Sequence, residues 1–201
     1  MNERNRKPEI TFFAGPNGSG KSTITDLIRP PYKYINADEI KKILDCSDIE
    51  AAKLATARRE SYLEKSENFA FETVLSTDRN LKLLQRAKAA GYFIRGFYVI
   101  TADPMINVER VKMRVYTGGH DVPTEKIMER YDKSLALLSC VVECCDICHI
   151  YDNTDFPFRI FKKRKEAAYY HENEDWKLED IQLLTGIENL QAKNLNEKSL
   201  Y

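Results

Sequence analysis

The chain has 201 residues, 43% of them hydrophobic, enough to bury one real core and carry a small appendage. Thirty-one Lys and Arg against 31 Asp and Glu leave zero formal net charge, which argues against a dedicated nucleic-acid binder. No run approaches the roughly 18 apolar residues of a membrane helix, and Met1 to Lys7 leads into no signal-peptide core; a cytoplasmic protein with reduced cysteines is expected.

In chain order, Ile10 to Ala14 is an apolar run fit for a buried strand, and Gly15-Pro16-Asn17-Gly18-Ser19-Gly20-Lys21-Ser22-Thr23 follows it directly. This is the phosphate-binding P-loop in its required setting of strand, loop and helix. The glycines let backbone N–H groups close on phosphate oxygens, and the helix N-terminus adds partial positive charge. Lys21 can reach the β and γ phosphates, and the Ser22 hydroxyl can bind Mg²⁺, so the stretch reads as an ATP or GTP site. The helix from Lys21 to about Arg29 is stopped by Pro30-Pro31. Tyr32 to Ile35 reads as a second strand, and Asn36-Ala37-Asp38-Glu39 opens a helix carrying Ile40, Ile43 and Leu44. Ser47-Asp48-Ile49-Glu50 is a capping box for a helix to about Lys65. Phe69 to Val74 is the third strand, Thr77 or Asp78 caps a helix ending at Gly91, and Tyr92 to Ile100 is the fourth strand. Asp103-Pro104 starts a helix to about Tyr116, which Gly118 to Pro123 breaks. One long helix is then expected from Thr124 to Glu143, with a fifth strand over Ile147 to Tyr151. Phe158 to Phe161 and Ala168 to His171 resemble a hairpin, followed by a helix near Leu178 to Leu184 and a polar tail.

The alternation predicts an α/β fold, with a parallel five-stranded sheet and helices on both faces. The division expected is a core over 1–155 with a helical lid at about 104–135, and a hairpin-and-helix appendage over 156–201 packed on it. Cys145-Asp146-Ile147-Cys148-His149 formally matches a haem-attachment pattern, but Cys140, Cys144, Cys145 and Cys148 run from a helix end into a strand, which favours small buried hydrophobes over a metal site.

In an open α/β sheet ligands bind outside the carboxyl ends of the strands. Those ends hold the P-loop, Asp38, Glu72 to Ser76, Thr101 to Asp103, and Asp152-Asn153. Asp38 can bind Mg²⁺ through water or accept a proton from an attacking hydroxyl; its bland role is a helix N-cap. Glu72 suits metal or substrate contact, against a plain surface charge. Arg110 and Arg114 share a helical face at i, i+4, and Arg130 lies one helix later, the build of a lid bringing positive charge to a transferring phosphoryl group. His120, in the turn, is either a substrate contact or a loop residue.

Taken together, the P-loop, Asn36-Ala37-Asp38-Glu39, Phe69-Ala70-Phe71-Glu72-Thr73, Gly118-Gly119-His120-Asp121-Val122-Pro123, Arg130-Tyr131 with Ser134-Leu135, and Asp152-Asn153 resemble the zeta-toxin family of P-loop kinases over roughly residues 8 to 155. The resemblance implies a nucleotide-kinase-like core, ATP and Mg²⁺ as cofactors, and phosphorylation of UDP-N-acetylglucosamine on the sugar 3′-hydroxyl. It also implies a separate antitoxin protein as a partner. By motif, Lys21 and Ser22 carry over as phosphate and Mg²⁺ contacts, Asp38 as the base, and Arg114 and Arg130 as charge-stabilising arginines. Glu72, Thr73 and His120 fall on the substrate side, and Asn153 falls where the last core strand runs toward the nucleotide base. Val74 departs from the hydroxyl residue expected at the third place of the Glu-Thr-Thr pattern.

Other classes fit less well. A regulatory GTPase would carry an Asn-Lys-x-Asp guanine motif, which is absent. A nucleic-acid kinase would show a basic surplus. A silent ATP-binding partner of an antitoxin would have lost Asp38 or the lid arginines, and all are present.

Overall fold

In a computed structural model the described residues are 6–196; the expectations placed on 1–5 and on the end of the tail, 197–201, lie outside them. Strand β1 (Glu9–Ala14) is buried from Ile10 onward, as a strand covered on both faces must be. It leads through the P-loop into α1 (Lys21–Ile28), followed by β2 (Lys33–Ile35), α2 (Ala37–Leu44), α3 (Asp48–Glu64) and β3 (Phe69–Thr73). Next come α4 (Arg79–Ala89), β4 (Phe93–Ile100), α5 (Pro104–Tyr116), α6 (Thr124–Ala136), α7 (Leu138–Cys144) and β5 (Ile147–Asp152). The chain closes with β6 (Phe158–Arg164), β7 (Ala167–Tyr170), α8 (Leu178–Thr185) and β8 (Gln191–Ala192).

Local signals read from the sequence account for the starts of α3 and α5, whereas Asp78 at the head of α4 makes no side-chain cap bond. Ser47 and Glu50 form the reciprocal capping box of α3, and the Asp103 carboxylate accepts from the Met105 amide at 2.7 Å ahead of Pro104. Gly91 takes φ 89° directly after α4, the left-handed turn that favours glycine.

The sheet runs β2-β3-β1-β4-β5-β6-β7-β8. The five expected strands are its parallel part, and the sheet has eight strands rather than five. The hairpin β6–β7 pairs antiparallel along the free edge of β5, and β8 adds a short parallel pair to β7. Ile160 and Phe161 of β6 are fully buried there, so burial of these side chains and satisfaction of the β5 edge act together. The single helix expected over 124–143 is two, with the break at Leu137. The Tyr131 and Ser134 hydroxyls tie α6 to the Thr101 and Val74 carbonyls at 2.6 and 2.8 Å, whereas Leu138, Val141 and Val142 of α7 enter the main core. One straight helix would have to serve both sets of anchors.

Period-two alternation divides the core. Phe12 joins the large cluster on one face, while Phe13 stacks on Phe97 at 5.2 Å beneath α1 on the other. Gly96 opposes Phe12 in β4, where a Cβ would come within 2.5 Å of the Phe12 ring. The cysteines carry the expected structural role in part: Cys145 and Cys148 are buried in the core, and Cys140 is exposed. All five are free thiols.

His149 lies flat on Phe97, with ring centroids 5.1 Å apart and planes 7° from parallel. Burial, then the positive charges of Arg159, Lys162 and Arg95, hold its pKa down to about 3. The ring is therefore neutral in the folded chain and protonates far more readily once unfolded. Stability from this group is full above the unfolded pKa near 6.5 and is lost as pH falls from there toward 3. Between pH 7 and 4.5, urea denaturation of His149→Phe is expected to show about 2–3 kcal/mol less acid destabilisation than wild type. Equal losses in both proteins would place the acid limb elsewhere.

Candidate functional site

The P-loop closes around the Lys21 side chain. Its ammonium donates to the Gly15 and Pro16 carbonyls at 2.9 and 3.0 Å and lies 3.9 Å from the Glu72 carboxylate. Burial lowers its pKa; Glu72 and Asp38 offset this, and Arg114 adds to it. Gly20 sits at the N-cap of α1 with φ 87° and contributes no capping side chain, so the first-turn amides of α1 are left for an external acceptor. A Cβ on Gly20 would come within 2.1 Å of the Asn153 amide, and one on Gly18 within 2.4 Å of the Asn107 carbonyl. The loop is thus pressed against its own support, and only glycine fits at these two points. Ser19 is fully buried, while Ser22 and Thr23 at the start of α1 are exposed.

Asn153 is placed differently from its sequence reading. It is buried, and its amide donates to the Ser19 carbonyl at 2.8 Å, so the side chain braces the loop from beneath instead of reaching toward a nucleotide base. For Asp38 the bland alternative of an N-cap does not hold. The N-cap of α2 is Asn36, whose side-chain oxygen accepts from the Asp38 amide at 2.8 Å. The capping task belongs to Asn36, and the exposed Asp38 carboxylate stands at the second position of the helix, facing the cavities beside the loop.

Glu72 ends β3 next to Lys21. The Tyr34 hydroxyl donates to it at 2.8 Å and the Asn36 amide at 3.5 Å. Burial and the Glu72 charge push the Tyr34 pKa well up, which fixes the phenol as the proton donor of the pair. Thr73 is engaged in the turn: its hydroxyl oxygen accepts from the Leu75 amide at 3.0 Å and the Asn80 amide at 2.7 Å, with Leu75 at φ 57°.

The helices on which a lid was expected are α5 and α6. Arg110 and Arg114 line a cavity of about 200 Å³ with Gly18, Gly20, Lys21 and Ser22. The Arg114 guanidinium donates to the His120 carbonyl at 2.7 Å, and Arg130 donates to the Asn17 side-chain oxygen at 3.1 Å. Arg110 is tied to the Thr154 carbonyl at 2.6 Å, with one guanidinium nitrogen buried and unbonded. The His120 ring is 3.7 Å from Asp48, both more than half exposed, a contact that contributes little. A cavity of about 290 Å³ gathers Lys21, Asp38, Glu72, Arg114, His120 and Arg130 at one sheet edge.

Lys21, Asp38, Glu72, Arg114 and Arg130 thus line one cavity, and Ser22 lines the adjoining one with Lys21, Glu72 and Arg114. Tyr34, Asn36 and Asn80 were missed as site residues, along with Arg59, which lines the neighbouring cavity. Asn36 had a signal in its position before a helix; the others act through contacts between distant elements. Phosphate groups fit this donor set: a backbone cradle that side chains would fill, a buried ammonium, and an exposed hydroxyl at the head of α1.

No family model matches the sequence. An uncharacterized protein of Haemophilus influenzae is 28% identical over 126 residues, which cover 60% of this chain and 90% of that one. A chain of the PezAT chromosomal toxin–antitoxin system of Streptococcus pneumoniae superposes with a TM-score of 0.58 at 15% identity, covering 92% of this chain and 87% of its own. A chain of the Pnkp1/Rnl/Hen1 RNA repair complex gives 0.52 at 19% identity, over 68% of this chain and 47% of its own. With the P-loop at the end of the central strand of the parallel sheet, the chain shares its α/β fold with that PezAT chain.

Proposed function

We propose that the protein transfers the γ-phosphate of ATP to a hydroxyl of a small molecule, a sugar nucleotide such as UDP-N-acetylglucosamine being the acceptor favoured by its motifs. The observation that supports this most is the position of Asp38 and Glu72 between two cavities. Both carboxylates line the cavity that holds Lys21 and the lid arginines, and both line a second one under α3 and α4. A phosphate donor held on one side and a hydroxyl on the other would meet at Asp38.

Each residue then has a task. Lys21 and the α1 amides hold the β and γ phosphates, and the exposed Ser22 hydroxyl is the protein's ligand for magnesium. Bound Mg²⁺ would neutralise charge on the transferring group. Asp38 orients the acceptor hydroxyl and takes its proton as the new oxygen–phosphorus bond forms and the bond to the β-phosphate breaks. Arg114 and Arg130 exchange neutral oxygen partners for the oxygens of the phosphoryl group, where charge-assisted bonds are stronger. Glu72, held by Tyr34 and Asn36, fixes the Lys21 ammonium and presents its second face to the acceptor. Val74 lines both cavities where a hydroxyl would help a sugar nucleotide, so a weak reaction with UDP-N-acetylglucosamine is expected that Val74→Thr improves. An antitoxin partner and a cytoplasmic location belong to the same reading; among the described residues no helix is long and apolar enough to cross a membrane.

Three outcomes test it. Mass spectrometry of a metabolite extract incubated with ATP and protein should reveal one phosphorylated product, absent with Lys21→Met; a product formed equally by that variant would remove the P-loop from the reaction. The same variant should also lose the thermal shift given by Mg-ATP.

Asp38→Asn should bind Mg-ATP normally and turn over on the order of a hundredfold more slowly. Turnover near wild type would leave the carboxylate with no part in proton transfer. Arg114→Ala and Arg130→Ala should lower kcat far more than they weaken ATP binding. Equal losses in both quantities would mark plain phosphate-binding residues.

A further inference from the structure

The second cavity, about 250 Å³, has a feature that phosphate transfer from the P-loop does not require. Its floor carries Arg59 of α3, only 7% exposed. That guanidinium lies 5.2 Å over the Phe71 ring and donates to the Thr56 hydroxyl at 3.1 Å, and among the described residues no carboxylate lies within ion-pair distance of it. Its neighbour Glu60 is committed to Arg86 at 2.6 Å. The stronger of the two charges acting on it is positive: Arg79, at the first position of α4, lines the same cavity and works against Arg59, while Glu60 partly offsets it. Burial comes first among the causes that lower the Arg59 pKa, to about 10, so the group stays protonated at neutral pH.

A buried cation without a counter-charge is unfavourable unless something else brings the charge. Arg59, Arg79 and Asn80 line this cavity alone, while Asp38 and Glu72 also line the one beside the P-loop and so mark its other end. An acceptor lying along it would place its hydroxyl at Asp38 and an oxyanion at the arginines. We infer that Arg59 and Arg79 form the specificity end of the acceptor site, and that the acceptor carries a phosphate or carboxylate group which they bind. This rests on the kinase reading for the identity of the other end. Arginine suits the task because its planar fork binds such oxygens in pairs.

The test uses the full chain with the P-loop filled by a non-hydrolysable ATP analogue and excess Mg²⁺, titrated calorimetrically with pyrophosphate and, separately, with succinate. One of the two is expected to bind at one site per chain, pyrophosphate marking a phosphate-bearing acceptor and succinate a carboxylate-bearing one. Arg79→Gln, at an exposed position where folding is not at stake, should weaken that binding at least tenfold with the nucleotide affinity unchanged. Arg59→Met should abolish it while melting no lower than wild type, since it removes an unmatched buried charge. In steady state, either substitution should raise the acceptor KM at least tenfold and leave the KM for ATP within twofold.

Binding of neither probe, or binding indifferent to both substitutions, would overturn the inference. So would an Arg59→Met protein that melts much lower while keeping wild-type acceptor KM, the mark of a structural arginine. A phosphorylated product from a neutral acceptor would overturn it and leave the kinase intact. Arginine-dependent anion binding with no phosphorylated product from any extract would do the reverse.

Discussion

The site depends on keeping one ammonium group in a place where water cannot solvate it. Lys21 is 8% exposed, and removing its charge from water costs several kcal/mol unless protein oxygens replace the lost hydration. Two loop carbonyls and Glu72 supply those oxygens. The requirement spreads outward, because Glu72 must itself remain charged beside the sheet. Tyr34 and Asn36 donate to it, and Tyr34 is set by its edge contact with Phe13 in the core. The phosphate cradle, β2, the head of α2 and the packing beneath α1 thus serve a single buried charge.

The second constraint is closeness. The loop lies so near its support that Gly18 and Gly20 could not carry a side chain, and Asn153 bridges the remaining gap to the Ser19 carbonyl. A loop pinned this way leaves little to reorganise when a ligand arrives, which is what a preorganised electrostatic site requires. The pin comes from the end of β5, so the parallel sheet sets the shape of the loop as well as its location.

What the sequence revealed follows the range of each interaction. The P-loop, the capping box at Ser47, Asp103-Pro104 and Gly91 are local signals that depend on residues a few positions apart, and they stand where expected. The start of α2 was legible, but Asn36 was not singled out over Asp38 as its cap, because either side chain could have served and only the backbone geometry decides. The break at Leu137 was hidden, since an amphipathic pattern runs on through both helices and the separate anchors of Tyr131 and Val141 are tertiary. Asn153 stood out as a strand-end residue, but its bond to Ser19 is a long-range contact, and so is the stacking of Arg59 on Phe71, which left Arg59 with no local signal. The hairpin was seen as a pair of strands; its union with the sheet depends on the β5 edge, which no local pattern describes.

The distribution of partners among the arginines separates scaffold from machinery in this zero-net-charge chain. Arg95 pairs with Glu9 and Arg86 with Glu60, surface contacts that add modest stability and leave no charge to spare. Around the P-loop the pattern reverses: Arg114 and Arg130 rest on a carbonyl and an amide oxygen, and Arg110 on a carbonyl. Neutral oxygens hold a guanidinium in place more weakly than a carboxylate would, so on the kinase reading an arriving phosphate oxygen, which carries charge, would outcompete them. Had these arginines been given carboxylate partners, the resting fold would gain and the exchange would lose. Holding them on neutral oxygens keeps these side chains ordered without satisfying their charge, and on the kinase reading that difference would favour their transfer to a bound phosphate.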